Sequence, residues 1–146
     1  RGPCKRGLWC MKPDKKQEAQ RWLRQAEYEL ASARHLLAGE HFAIACFMSQ
    51  QATEKALKAL AYFRGDRYVL GHSLVELLSH LTGGYPDLAA FRQRAGKLDR
   101  YYLPTRYPDA LPGGVPAEGY DASETRDAVA VATDIVALAH RLIEGG

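Results

Sequence analysis

Between residues 41 and 64 the chain reads HFAIACFMSQQATEKALKALAYFR, with no proline or glycine and with small residues returning every three or four positions. Ala, Leu, Lys, Glu and Gln dominate it, and these are strong helix formers, so the stretch predicts a helix of about six turns. Ala45, Ser49, Ala52, Ala56, Ala59 and Phe63 fall on one face, while Cys46, Leu57 and Leu60 widen the apolar stripe on its flank. A seam of small side chains lets another helix approach closely, as a central helix with several partners requires. The remaining elements read as its cover.

Upstream, Asp14 and Gln17 have capping-box spacing. A helix starting there carries Trp22, Ala26, Leu30, Ala33 and Leu37 on its core side and stops at Gly39. The connection through Glu40 is so short that the first and central helices must form an antiparallel hairpin. Downstream, Gly65, Asp66 and Gly71 break the pattern, and Ser73 with Glu76 caps a short helix over 73–81 that buries Leu74, Leu77, Leu78 and Leu81. After a turn at 82–85, Pro86 opens a helix running to about Tyr101, with Leu88, Phe91, Ala95 and Leu98 inward and Arg92, Arg94, Lys97 and Arg100 as a basic surface. Residues 103–120 hold Pro104, Pro108, Pro112 and Pro116 with three glycines, a composition that excludes regular structure. A loop of that length inside a compact domain is more often functional than idle. Asp121 and Glu124 cap a last helix over 122–143, with Val129, Ala132, Ile135 or Val136, Leu138 or Ala139, and Leu142 toward the core. There is no internal repeat, and residues 68–70 are too few to need a sheet. The pattern predicts an all-α fold: an antiparallel helical bundle of four main helices plus one short helix, with a long Pro-rich loop before the last.

Composition narrows this picture. A chain of 146 residues with 47% hydrophobic and 25% charged residues suits one globular domain. No apolar run approaches the ~18 residues of a membrane span, and the first sixteen residues lack the apolar segment of a signal peptide. The net charge is +3, yet six basic side chains stand against one acidic before Gln17, so a local +5 leaves −2 on residues 17–146. That argues against extended nucleic-acid binding, which needs a basic face on the folded part. Residues 1–14 read as a flexible basic leader or linker, and residues 15–146 as the helical domain; Met11 fits either a start preceded by a translated leader or a linker within a larger polypeptide. Cys4 and Cys10 have no zinc-knuckle spacing, and Cys46 reads as a buried free thiol. This cysteine usage favours a reducing, cytoplasmic compartment.

Candidate chemistry is sparse. Gly113-Gly114 lacks the Lys-Ser or Lys-Thr of a phosphate loop, and His35, His41, His80 and His140 show no metal-ligand spacing, so neither a metal nor a resident cofactor is expected. His80 reads as a helix-end residue near the negative end of the dipole. Glu54 and Lys58 are four apart on the central helix, a simple ion pair or else buried polar groups at a subunit interface.

One further pattern goes beyond periodicity. QQATEKALKA at residues 50–59, His72-Ser73-Leu74 opening the next helix, LDRYYLPTRYPDA at residues 98–110 and a closing helix together resemble the HEPN domain, over residues 17–144. The first helix, with EAQRWLRQA at residues 18–26, is similar to the type at the carboxyl end of sacsin and sacsin-like proteins, where the domain follows a DnaJ-type segment. That resemblance implies a place in a larger chaperone polypeptide, with DnaJ/Hsp70-type partners. The family name implies nucleotide binding, with GTP or ATP as ligands, and family members pair helices between two subunits. Were the small seam to face such a partner, Ala45, Ser49, Ala52 and Ala56 would form a homodimer interface. A second branch of the family resembles ribonuclease toxins with a nucleotidyltransferase-type partner, marked by an Arg followed four to six residues later by His near a late helix. No such pair occurs late in this chain. Arg67 and His72 have the spacing but lie in the turn after the central helix, a weak catalytic candidate against a solvated Arg and a His bonding nearby backbone. For a nucleotide, Arg92, Lys97, Arg100 and Arg106 with Tyr101, Tyr102 and Tyr107 offer guanidinium forks and rings. The alternative is that Arg100 and Arg106 pair with Asp99 and Asp109 and pin the loop.

Overall fold

Asp14 starts the helical part of the computed structural model, which describes residues 14–67, 69 and 71–146 and, from the leader, the backbone of Gly2–Pro3 (β1) and Trp9–Cys10 (β2). Those two segments pair antiparallel, Gly2 with Cys10 and Pro3 with Trp9, a ladder for which the hydrophobic pattern holds no signal. Expectations for the rest of the leader, Cys4 and Met11 included, and for Tyr68 and Leu70 lie outside the described residues.

Helix α1 spans Lys15–Ala38, and its capping box forms as spaced: Asp14 Oδ1 accepts from Gln17 N at 2.7 Å, and Gln17 Oε1 from Asp14 N at 3.3 Å. Helix α2 spans Phe42–Phe63 and returns antiparallel to α1, with the Trp22 and Tyr62 rings tilted against each other at a centroid distance of 5.4 Å. The corner residue Glu40 has φ 63°, a left-handed backbone unusual for a residue with a Cβ. Helix α5, Ala122–Glu144, is capped by Asp121 and lies antiparallel to α1, as Gln20 with Glu144, His140 with Glu27 and Arg34 with Thr133 demonstrate. Helices α1, α2 and α5 therefore form the main body.

The seam of α2 is used up inside this body. Ala45, Ser49, Ala52, Ala56 and Ala59 have 0% exposure, against α1 on one side and α5 on the other. The expected dimer interface at Ala45, Ser49, Ala52 and Ala56 is thus corrected: no surface of these residues remains for a second subunit. Cys46 is the buried free thiol expected; its Sγ lies 3.4 Å from Thr125 Oγ1, and burial pushes the thiol up to about 11.

Helix α3, Leu74–Leu81, buries the four leucines predicted for it. Residues 86–101 are not one helix: a 3-10 turn at Pro86–Phe91 leads into α4, Arg92–Leu98, and a second 3-10 turn covers Asp99–Tyr101. Leu88, Ala95 and Leu98 are buried nevertheless. Docking on α3 accounts for the segmentation. The Asp99 carboxylate accepts from Leu74 N at 2.7 Å and Val75 N at 3.3 Å, adding to Ser73 as the cap of α3, while a Cβ on Gly96 would stand 3.3 Å from Val75 Cγ2. The Pro-rich segment follows and, against the expectation of no regular structure, holds short 3-10 turns at Pro108–Ala110 and Pro116–Glu118, each opened by a proline whose missing N–H costs nothing at a first position. Thr105 and Pro116 are its buried anchors.

Because Glu40 occupies a conformation that glycine adopts freely, Glu40→Gly should stabilise the protein by about 0.5–1 kcal/mol, raising the urea midpoint at unchanged m. A lowered midpoint would show that the Glu40 side chain holds the corner.

Candidate functional site

Along one side of α2, Gln50, Glu54 and Lys58 stack a turn apart, and all three are buried. Glu54 Oε2 takes Lys58 Nζ at 3.1 Å; Glu54 Oε1 takes Gln50 Nε2 at 3.2 Å and lies 3.0 Å from His72 Nδ1. The Gln50 amide also reaches the His72 carbonyl at 3.4 Å, and Lys58 stands 5.9 Å over the Trp22 ring. Of the two readings of Glu54 and Lys58, the ion pair forms, and it forms inside one chain. A buried carboxylate with three donors offsets its desolvation, whereas one that lost a partner would not. His72 is accordingly more than a cap residue. Its ring is held on a buried carboxylate and stacked on Tyr102 at 4.4 Å, with half of the side chain exposed. An imidazole so oriented can exchange a proton with an adjacent group. Arg67, its partner in spacing, is exposed, and the partner in contact is Glu54.

The 102–107 loop folds onto this cluster. Arg106 lies against the Phe47 ring at 4.1 Å, Tyr102 at 5.0 Å and Tyr107 at 5.1 Å, and its Nε donates to the Tyr102 carbonyl at 2.9 Å. The guanidinium is thereby occupied as a loop pin.

A second feature is a cleft of about 410 Å³ between α4 and α5. Leu98, Tyr101, Ala128 and Val131 make its apolar floor. Arg94, Lys97 and Arg100 stand on the α4 side, Glu124 and Asp127 on the α5 side. Tyr101 donates its hydroxyl to Glu124 Oε2 at 2.9 Å; burial, reinforced by that carboxylate, drives the phenol well above its ordinary range. Arg94 is engaged with Asp134 at 2.8 Å. Lys97 and Arg100 have neither an ion pair nor a side-chain hydrogen bond among the described residues. The volume falls in the range of small-molecule pockets.

The seven residues read as one nucleotide site are therefore divided. Lys97, Arg100 and Tyr101 meet at the cleft; Tyr102, Arg106 and Tyr107 belong to the cluster above α2; Arg92 turns to Ser79 Oγ at 2.7 Å. The alternative pairing of Arg100 and Arg106 with Asp99 and Asp109 is absent, since Asp99 caps α3 and Arg106 is held by rings and a carbonyl. Two site features escaped the pattern. Glu124 reads as a cap residue, and only its i, i+3 relation to Asp127 signals an acidic wall; His72 and Glu54 are eighteen residues apart with no periodicity to join them. No group of three or more potential metal ligands occurs among the described residues, and none of their helices is long and apolar enough to cross a membrane.

The HEPN domain family model matches residues 19–142, and the chain belongs to that family. It is similar to TT1696 from Thermus thermophilus, at 40% identity and TM-score 0.80 over 84% of this chain and 96% of that one. It is also similar to ST0689, an archaeal HEPN homologue, at 34% identity and TM-score 0.72 over 91% and 99%. No curated protein matches it.

The buried pair on α2 should behave as a unit. Glu54→Gln and Lys58→Met should each cost about 3 kcal/mol or more, because each leaves a buried group without its charge partner. The double variant should recover about 1–3 kcal/mol relative to the sum in a denaturation cycle. Additive losses would mean that the two side chains are solvated rather than coupled.

Proposed function

We propose that this domain is a non-enzymatic HEPN module that binds a nucleotide, GTP or ATP, or another phosphate-bearing anion, in the cleft between α4 and α5. The observation that carries this reading is the pair Lys97 and Arg100, two uncommitted cations on one wall of an apolar-floored cleft. Neighbouring Arg94 is neutralised by Asp134, so the cleft has a localised positive end rather than a basic track. That suits a compact anion better than a nucleic-acid backbone. We further propose that the domain homodimerises and serves in the cytoplasm within a sacsin-like chaperone polypeptide. Exposed apolar side chains on α1, α2 and the Pro-rich loop, among them Tyr28, Ile44 and Leu103, support contact with a second chain; the seam of α2 does not.

The His72–Glu54 contact supports a second reading, a ribonuclease with a nucleotidyltransferase-type partner, in which His72 would act as the proton-transfer group. RNA cleavage lost in His72→Ala would favour it. The first reading is preferred because no late Arg of the chain is followed four to six residues on by His, and Arg106 is committed to rings and backbone.

Calorimetric titration of the 146-residue chain with GTP and ATP at low and high salt tests the proposal. Binding should weaken with salt, and Lys97→Ala and Arg100→Ala should each reduce affinity about tenfold, or about 1.4 kcal/mol. No binding at about 1 mM nucleotide, or binding untouched by both substitutions, would overturn it.

A further inference from the structure

Helix α1 packs on α2 with one flank and on α5 with the other, and it turns its outer face to solvent. We infer that this face, from Arg21 to His35, is a docking surface for a second protein, one that presents an acidic helix. The inference is independent of the nucleotide reading above, and it divides the exposed apolar side chains. Ile44 and Leu103 stay with the second copy of the chain, and Tyr28 goes to this other partner.

The side chains of α1 are sorted by charge around its axis. Its three acidic residues are all spent elsewhere: Glu27 reaches His140 on α5 at 3.0 Å, Glu29 is buried against Lys55 on α2 at 3.0 Å, and Glu18 holds Arg21 at 2.8 Å in the first turns. Arg21, Arg24, Tyr28, Ala31 and His35 recur at spacings of three and four, and all five are exposed. Tyr28, at 67%, is the most exposed large hydrophobic side chain among the described residues. Arg24, one turn before it, has neither an ion pair nor a side-chain hydrogen bond among them. Tyr and Arg are over-represented among the residues that dominate protein interfaces, and Ala31 beside them lets a partner backbone come close.

Charge decides the occupant. Residues 1–24 hold eight basic and two acidic side chains, whereas residues 25–146 are net acidic, so the positive charge of the chain gathers at its start and over the first half of α1. An acidic partner meets that charge with its complement. A second copy does not: an antiparallel pair centred on Tyr28 would set Arg24 opposite Ser32 and Arg21 opposite His35, with no carboxylate for either guanidinium. A nucleic-acid backbone requires a row of cations, and this face offers Arg24 and a half-neutralised Arg21 next to the apolar Tyr28 and Ala31. The exposed length is about 21 Å at 1.5 Å per residue, which accommodates about four turns of a partner helix.

The test is fluorescence anisotropy of a labelled helical peptide of about 20 residues, with leucines on one face and glutamates on both flanks, titrated with the full chain. The peptide should bind, and Tyr28→Ala and Arg24→Ala should each weaken binding about tenfold. Circular dichroism checks that both variants are folded, as exposed helical positions allow. Arg126→Ala, which removes an exposed cation from α5, should leave binding unchanged, and this separates docking on α1 from general attraction of charge. The same peptide with lysines in place of glutamates should not bind. No binding at about 1 mM peptide, or equal weakening by Arg126→Ala, would overturn the inference. So would a single-stranded oligonucleotide that binds this face more tightly than the peptide, or a dimer that Tyr28→Ala turns into monomers. None of these results touches the nucleotide site, whose test reads Lys97 and Arg100.

Discussion

Close approach of three helices around α2 is the constraint on which the rest of this structure depends. A helix packed on both flanks by partners has no room for large side chains along its contacts, and Ala45, Ser49, Ala52, Ala56 and Ala59 supply none. Their own burial contributes little per residue. The larger gain is that backbones come near enough for Leu23, Leu57, Leu60, Ile135 and Ile143 to be enclosed, at roughly 1.5–3 kcal/mol for each such side chain. The polar side of the same helix then receives the remaining elements. Glu54 reaches His72 at the entry to α3, His72 stacks on Tyr102, and the loop carrying Tyr102 is pinned by Arg106. One helix thus organises the apolar core with one face and the connecting segments with another.

How far this was legible in the sequence follows from the range of each interaction. The three caps at Asp14, Ser73 and Asp121, the hairpin at Gly39 and Glu40, and the leucines of α3 are local, and spacing alone identifies them. The seam of α2 was legible as a close-packing surface but not as to its partner, because a small-residue face looks the same whether α1, α5 or a second subunit covers it. The break in residues 86–101 depends on Asp99 capping a helix that begins 25 residues earlier, which helical periodicity does not report. The candidate site suffered most. Arg92, Lys97, Arg100 and Arg106 lie within fifteen residues of one another, yet passage through α4 and a 3-10 turn sends them to three different surroundings. Composition marked the right segment, and only the fold says which cations are uncommitted.

Two chemical settings result, and they differ in character. The Glu54–Lys58 pair is buried and satisfied, and it ties the half-exposed His72 into the packing, so its first consequence is rigidity of the segments around it. The cleft between α4 and α5 is open, with charges of both signs on opposite walls and an apolar floor between them. Membership of the HEPN family is secured by the match over residues 19–142 and by two similar solved structures. The proposed ligand reading follows from the cleft itself. A domain without a broad basic surface can still select a charged small molecule if a few cations are left without partners next to a surface that accommodates a ring.

The central claim, that the small face of α2 is enclosed within one chain, is tested most directly by light scattering and circular dichroism on Ala52→Glu. Ala52 has no exposed surface, so a carboxylate there must be buried without a partner, and the variant should lose cooperative folding whatever the oligomeric state of the parent. A variant that remains fully helical and folded but has gone from dimer to monomer would contradict the account, placing that face between two subunits instead.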